Sequence, residues 1–390
     1  MLKTRYLLPY ILEDLKDKMV FIGGPRQVGK TTLCRNLVAG HFGSHAYFNW
    51  DNRADRKGIT ASLWPADAEL LIFDEIHKYR KWKGFIKGEY DKLKDNYKFL
   101  VTGSSRLDVY RRGGDSLQGR YHYYRLHPFT LAEVEKIAYT ASLFHELPIG
   151  KGTHHETLKA LDTFGGFPEP FIKQSIRHLR RWHNEKNERM FREDILDVQI
   201  IRDIGSMKLL SDILPSKVGS LLSLNSIRED IEVSFRAVSS WMDILEAFYY
   251  HFRIYPFTAK KIRSLKKEPK LYLWDWSEVQ DESARFENLI ASHLSKFVHF
   301  ITDYEGYKAE LYFLRDVDKR EVDFLVTIDR KPWFAVEAKL NDTALSPHLL
   351  YFKERLSIPY AYQVTKKSGI DRLEKGIRII PADKFLSGLI

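Results

Sequence analysis

Short apolar runs alternate with helix-spaced stretches over the first third of the chain. Runs at 19–22, 45–50, 70–73, 98–102 and 121–126 have the length of buried strands and are bounded by polar or glycine-containing segments. Strands that alternate with helices in this way predict a parallel α/β sheet over residues 1–135. From 136 to 256 apolar residues recur at three- and four-residue spacings, which predicts a mostly helical stretch. Within it, helices are expected over 206–224, 226–232 and 235–249. A polar, basic stretch at 260–270 marks the next boundary. Beyond it, strands over 311–314, 321–328, 333–338 and 360–364 mix with helices near 284–298 and 345–356. The expected divisions are 1–135, 136–204, 205–270 and 271–390.

Composition narrows the class of protein. At 390 residues and 44% apolar content, the chain can bury sizeable cores and is not a disordered polymer. Its one cysteine, Cys34, excludes a disulfide framework and a cysteine-based zinc site. That usage fits a reducing cytoplasm. Residues 1–18 alternate apolar with charged positions, so no signal peptide is expected there. No segment has the apolar length that spans a bilayer. The net charge of +10 favours a polyanionic partner, with nucleic acid foremost. Two basic clusters concentrate it: Lys173, Arg177, His178, Arg180, Arg181 and His183, and Lys260, Lys261, Arg263, Lys266, Lys267 and Lys270. Either could equally be a solvated face.

Candidate chemistry begins at Gly24-Pro25-Arg26-Gln27-Val28-Gly29-Lys30-Thr31, which fits G-x-x-x-x-G-K-[ST] at every fixed position. An apolar strand precedes it, and a helix beginning at Thr32 follows. The glycines let the loop turn its N–H groups inward onto phosphate oxygens. Lys30 has the reach for the β- and γ-phosphates of ATP, and the Thr31 hydroxyl can bind Mg²⁺. Four apolar residues at 70–73 then deliver Asp74 and Glu75 to the end of a central strand. Asp74 suits Mg²⁺, directly or through water, and Glu75 suits activation of a water molecule. The strand at 98–102 ends in Gly103-Ser104-Ser105-Arg106. Ser104 or Ser105 could sense the γ-phosphate, or the segment could be an ordinary turn. Arg120 opens the strand at 121–126. Spacing alone does not separate it from Arg106, Arg111 or Arg112 as a charge-neutralising arginine, and the alternative for each of the four is a solvated surface arginine.

A second constellation lies near the other end of the chain. Residues 321–328 and 333–338 read as a hairpin joined by 329–332. If 328 faces 332, Asp323 lies opposite Glu337, and Lys339 shares that face. Two carboxylates and an ammonium then meet at one point. The bland alternative is an exposed, charged hairpin face.

Several of these segments together resemble a large prokaryotic family of AAA+-like P-loop ATPases with a C-terminal restriction-endonuclease-like domain. They are residues 24–32, 71–75, 102–106, 116–120 and Phe164-Gly165-Gly166-Phe167-Pro168. The similarity runs from about Arg5 onward. It implies Lys30, Thr31, Asp74 and Glu75 as the ATPase core, Ser104 as the sensor and Arg120 as the family arginine, acting within the chain or in a neighbour. It also implies the domain order: a P-loop ATPase to 135, a helical lid to 204, a winged-helix-like module to 270 and a nuclease-like domain after it. The C-terminal segment resembles the PD-(D/E)xK nuclease superfamily. That likeness implies Asp323 and Glu337 as Mg²⁺ or Mn²⁺ ligands, Glu287 as the upstream helical carboxylate and Lys339 as the catalytic lysine. Val322 stands where the family usually has proline. The helix at 235–249 would read DNA in a winged helix, or would scaffold, since Trp241, Met242, Ile244 and Leu245 have core character.

The expected protein is an ATP-hydrolysing homo-oligomer that couples nucleotide turnover to DNA binding or metal-dependent DNA cleavage. The alternative is a nucleotide-dependent switch that binds DNA or protein through a non-catalytic nuclease-like domain.

Overall fold

The computed structural model describes residues 4–103, 117–150, 152–195, 203–258 and 267–390. The chain divides into two compact units, Met1–His127 and Pro128–Ile390.

The first unit is built on five strands: β1 Met19–Gly23, β2 His45–Asn49, β3 Leu70–Asp74, β4 Lys98–Thr102 and β5 Tyr121–Arg125. All pair in parallel, in the order β2-β3-β4-β1-β5. β1 and β3 are buried at every position, which is why they read as unbroken apolar runs. Phe21, Phe73, Phe99, Trp82 and Ile86 fill one side of the sheet. The connection after β1 crosses to one edge of the sheet, and the connection after β4 crosses back over β1. That reversal opens a crevice at the carboxyl ends of β1 and β4, where ligands of open α/β sheets bind.

In the second unit the helices Ile176–Arg189, Ile204–Ile213, Leu224–Asp230 and Phe235–Ala247 precede a mixed eight-stranded sheet. Ser175, Asp203, Ser223 and Ser234 cap these four helices with side-chain oxygens. The single helix expected over 206–224 stops at Ile213. Pro215 ends it in a short 3₁₀ turn, and Gly219 at φ +75 turns the chain away. Residues 251–256, expected within the helical stretch, form a strand instead. From Phe252 to Pro256 buried and partly exposed positions alternate with period two, and aromatic and β-branched residues suit that role.

The sheet comprises β6 His251–Pro256, β7 Lys270–Leu273, β8 Ala309–Arg315, β9 Glu321–Ile328, β10 Lys331–Lys339, β11 Tyr360–Thr365, β12 Arg372–Glu374 and β13 Ile377–Pro381. Its order is β12-β13-β11-β10-β9-β8-β6-β7. The long helix Glu282–Phe300 packs across β7 to β10 and buries nearly all of its C-terminal two-thirds. A second helix, Pro347–Arg355, covers the opposite core of Tyr312, Leu325, Ala335 and Ile358.

The Gly165-Gly166 pair works in packing. Gly165 ends the helix His155–Phe164 at φ +73, with Asp275 Oδ1 only 2.9 Å from where a Cβ would stand. At Gly166 a Cβ would lie 2.6 Å from both the Phe129 carbonyl oxygen and the Trp276 ring. The backbone therefore approaches as closely as only glycine permits.

Candidate functional site

The P-loop leaves β1 with Gly24 at φ +139, and a Cβ there would stand 2.3 Å from the Leu126 carbonyl oxygen. Gly29 follows at φ +97 and starts the helix Lys30–Thr32, which continues through a π-type stretch, Leu33–Val38. Both glycine positions are thus demanded by backbone geometry. Pro25, Arg26, Gln27 and Val28 form the arch between them. The Lys30 ammonium is buried and donates to the carbonyl oxygens of Gly24 at 2.9 Å and Pro25 at 2.7 Å. Thr31 and Thr32 are exposed at the helix start.

Asp74 ends β3 beside this loop and is buried. Its Oδ2 accepts from Thr31 Oγ1 at 2.8 Å and from the Tyr47 hydroxyl at 2.7 Å. Its Oδ1 accepts from the Thr102 hydroxyl at the end of β4. The two motifs, 43 residues apart, therefore meet at one carboxylate. Burial, the Asp74 hydrogen bond and the Asp74 charge push the Tyr47 hydroxyl far up, so it stays a donor. Neither Tyr47 nor Thr102 was singled out from the sequence, because strand adjacency alone brings them to Asp74.

Glu75 adopts the left-handed conformation at φ +57, and its N–H donates to the Thr102 carbonyl at 3.1 Å. Burial raises its carboxyl above the ordinary range, against the opposing charge of Lys30. Cys34 is fully buried. Burial first, and then the charge of Asp74, push its thiol up, so it is an inert core residue.

Arg5 enters from outside either motif. Its buried guanidinium donates to the carbonyl oxygens of Val28 and His127, at 2.6 Å each. Arg120 lies at the other end of the sheet. It precedes β5 at its amino end, where its carbonyl accepts from Met19 N, and its guanidinium forks onto Asp91 at 2.7 and 3.0 Å. A parallel strand of five residues, about 13 Å long, separates that end from the P-loop. The fold does not bring Arg120 to the nucleotide crevice of its own unit. Ser104, Ser105, Arg106, Arg111 and Arg112 lie outside the described residues, as do Lys260, Lys261, Arg263 and Lys266.

The second unit gathers Glu287, Asp323, Glu337 and Lys339. The hairpin reaches the expected pairing by an unexpected route. Asp329 and Arg330, both at positive φ, make a two-residue turn that sets Ile328 opposite Lys331. A bulge between Pro332 and Phe334 then shifts the register by one, so that Phe324 faces Val336. This restores the alignment of Asp323 with Glu337, and Asp323 Oδ2 accepts from Ala338 N at 2.9 Å. Lys339 Nζ lies 2.8 Å from Glu337 Oε1. Glu337 Oε2 is buried and has no hydrogen-bond partner.

Glu287 projects from the helix Glu282–Phe300 and accepts from the Tyr272 hydroxyl at 2.7 Å. Burial raises Glu287 to about 7, with Asp323 adding to the effect and Lys270 opposing it. Burial raises Glu337 to about 8, again with Asp323, against Lys339. Lys270, counted in the sequence with the basic cluster at 260–270, is instead buried among these carboxylates. Its ammonium lies 2.8 Å from Glu321, 3.2 Å from Glu287 and 3.3 Å from Asp323. Only Lys267 of that cluster is described at the surface. By contrast Arg177, Arg180 and Arg181 are exposed along one face of the helix Ile176–Arg189, and Lys173 is exposed at the end of the preceding helix, Pro168–Lys173. His183 turns inward to Ser277 Oγ at 3.0 Å.

A cluster of hard carboxylate oxygens, one of them buried and unpartnered, suits Mg²⁺ or Mn²⁺. A further group, His183, Asp275 and Glu278, already holds a cation: Lys186 lies 2.7 Å from Asp275 and also bonds Glu278.

Residues 16–135 match the model of the family described as AAA domain. They are an AAA-type ATPase domain. Residues 155–279 and 282–385 match two domains of unknown function, DUF8612 and DUF4143. An uncharacterized protein of Methanocaldococcus jannaschii, MJ1544, is 23% identical over 406 residues, covering 95% of this chain and 88% of that protein. The uncharacterized protein Rv2008c of Mycobacterium tuberculosis is 20% identical over 337 residues, covering 83% of this chain and 71% of that one. Among solved structures, the Thermotoga maritima RuvB Holliday junction branch migration motor aligns over 67% of this chain and 91% of its own, at 19% identity and a TM-score of 0.29. Among the described residues, no helix is long and apolar enough to cross a membrane.

Proposed function

We propose that this protein hydrolyses ATP at the P-loop and couples that turnover to DNA binding or metal-dependent DNA cleavage at the C-terminal carboxylate cluster. One observation carries the ATPase half: Thr31 and Asp74 share a hydrogen bond of 2.8 Å. The P-loop hydroxyl and the strand-end carboxylate therefore already stand side by side, where both can hold Mg²⁺. Bound there, Mg²⁺ would supply charge neutralisation on the β- and γ-phosphates. The loop N–H groups would hold the phosphates, Lys30 would neutralise charge developing on the γ-phosphoryl group, and Glu75 would orient the attacking water. The raised carboxyl of Glu75 suits a group that takes up a proton. Ser104 remains the proposed sensor.

Arg120 takes a role in this reading only from a neighbouring subunit, which makes a homo-oligomer part of the proposal. Mixing Arg120→Ala protein with Lys30→Ala protein tests it. Recovered ATP hydrolysis supports a shared site, and no recovery removes Arg120 from the mechanism.

For the C-terminal half, the unpartnered Glu337 Oε2 beside Asp323 supports a metal site. Asp323 and Glu337 would hold Mg²⁺ or Mn²⁺, which would polarise a phosphodiester oxygen. Lys339 would stabilise the developing phosphorane charge, and Glu287 is the upstream carboxylate of the resemblance. The exposed row of Arg177, Arg180 and Arg181 suits DNA phosphates. The pairing of Lys339 with Glu337 and the buried Lys270 favour a second reading, a nucleotide-dependent switch that binds DNA or protein without cutting. Incubation with plasmid and linear DNA, with Mg²⁺ or Mn²⁺ and with or without ATP, separates the two. Cutting that disappears in Lys339→Ala supports the nuclease, whereas intact DNA under every condition leaves the switch.

A further inference from the structure

The carboxylate cluster is held by a lysine that no motif predicts. Lys270 opens β7, 53 residues before Asp323, and its ammonium contacts carboxylates from the helix Glu282–Phe300 and from two positions of β9. An ammonium has three donors, and all three are directed at carboxylate oxygens. The partners on this side are saturated further. Glu287 Oε1 also accepts from Tyr272, and Glu321 also pairs with Arg315. Gly219, whose Cβ would stand 3.3 Å from Glu287 Oε2, closes over this corner.

The other side is different. Asp323 Oδ2 has one N–H, Glu337 Oε1 has Lys339, and Glu337 Oε2 has nothing. Four carboxylates (Glu287, Glu321, Asp323 and Glu337) face three cations (Lys270, Lys339 and Arg315). With all four ionised, the state in which carboxylates ligate a metal, the cluster is one positive charge short. One divalent cation reverses that small deficit, while a second would leave a large positive excess in a buried place.

We propose that Lys270 is the resident cation of this site: its ammonium holds the place of a second metal ion, so the cluster takes one divalent cation, between Asp323 and Glu337, and not two. This rests on the metal-binding reading given above. It places Glu287 with the lysine and the tyrosine rather than among the metal ligands. The lysine thereby determines how many metal ions the cluster can hold.

The test counts Mn²⁺ ions bound by the full chain without nucleotide, by isothermal titration calorimetry and by electron paramagnetic resonance. The baseline is a double variant, Asp323→Asn with Glu337→Gln. Above it, the native chain and Lys270→Arg should each bind one Mn²⁺, and Lys270→Met should bind two. Where the native chain binds one ion, one ion in folded Lys270→Met as well overturns the proposal. If Lys270→Met does not fold, Glu287→Gln decides: retention of one ion supports the proposal, and loss of it makes Glu287 a ligand and overturns it. If the native chain binds none but Lys270→Met binds one, Lys270 still holds a metal position and only the native metal-site reading falls. If neither binds any, both fall.

Discussion

Arg5 donates to the Val28 carbonyl oxygen across 2.6 Å, reaching into the arch of the P-loop from a segment 23 residues earlier. The same guanidinium donates to His127, so one buried side chain ties the loop to the end of the β5 segment. Arg5→Ala would leave two buried carbonyls short of donors. Charge-assisted bonds of this kind contribute about 1.5–3 kcal/mol each. The expected outcome is a lower unfolding midpoint of the ATPase unit together with weaker binding of a fluorescent ATP analogue. Unchanged affinity and unchanged stability would show that the tether is idle.

Tyr47 and Thr102 hold Asp74 from neighbouring strands. Tyr47→Phe removes one donor and keeps the ring. It should cost about 1 kcal/mol of stability and lower the turnover rate more than nucleotide affinity, since Asp74 serves the Mg²⁺ side of the site. Steady-state ATPase assays that separate kcat from KM check this. An effect on KM alone would place Tyr47 in nucleotide binding instead.

The pH dependence of stability should have two limbs of opposite origin. Glu287 and Glu337 are raised to about 7 and 8, so the folded chain keeps protons that the unfolded chain has released. Their contribution is complete below about pH 4.5 and is lost as pH rises toward 8. His251 and His293 are buried neutral and lowered to about 4 and 3. Their contribution is complete above about pH 6.5 and is lost as pH falls toward those values. The two oppose each other between, and only the carboxyls act above pH 6.5. Stability should fall by on the order of 2 kcal/mol from pH 6.5 to 8, at about 1.4 kcal/mol per pKa unit. Urea midpoints across that range measure it. Glu337→Gln should flatten the slope, and a variant as steep as the native chain would refute the assignment.

Gly166→Ala should destabilise the second unit by about 1–3 kcal/mol. The added methyl meets the Phe129 carbonyl and the Trp276 ring, and Phe129 N itself donates to Gly166 O at 2.7 Å, so the backbone has no room to retreat. Thermal unfolding followed by tryptophan fluorescence tests this directly. A midpoint within error of the native one would mean that the contact relaxes at no cost.

Local pattern carried much of this protein. Five apolar runs became five parallel strands with ends within a residue or so of expectation; β1 and β3, buried at every position, leave the unbroken apolar signature of strands covered on both faces. The glycines of the P-loop were legible for the same kind of reason: a positive φ restricts residue choice at that position. Strand 251–256 was less legible, since one short period-two run among helices gives little signal. The meeting of Asp323 with Glu337 was legible only in outcome. A tight turn and a bulge, each shifting the pairing by one, cancelled.

What the sequence by itself determined is the set of elements and the chemistry at their ends: a P-loop, an Asp-Glu strand end and a Glu-x-Lys strand. Each of those depends on neighbours within a few residues. What only the tertiary structure decided is which distant groups converge on them. Sheet order brought Tyr47 and Thr102 to Asp74 and left Arg120 at the far end of β5. Packing of β7 beside the helix Glu282–Phe300 turned Lys270 from a surface charge into the buried cation of a carboxylate site. Such convergence follows from sheet order and helix packing, which no local spacing in the chain encodes.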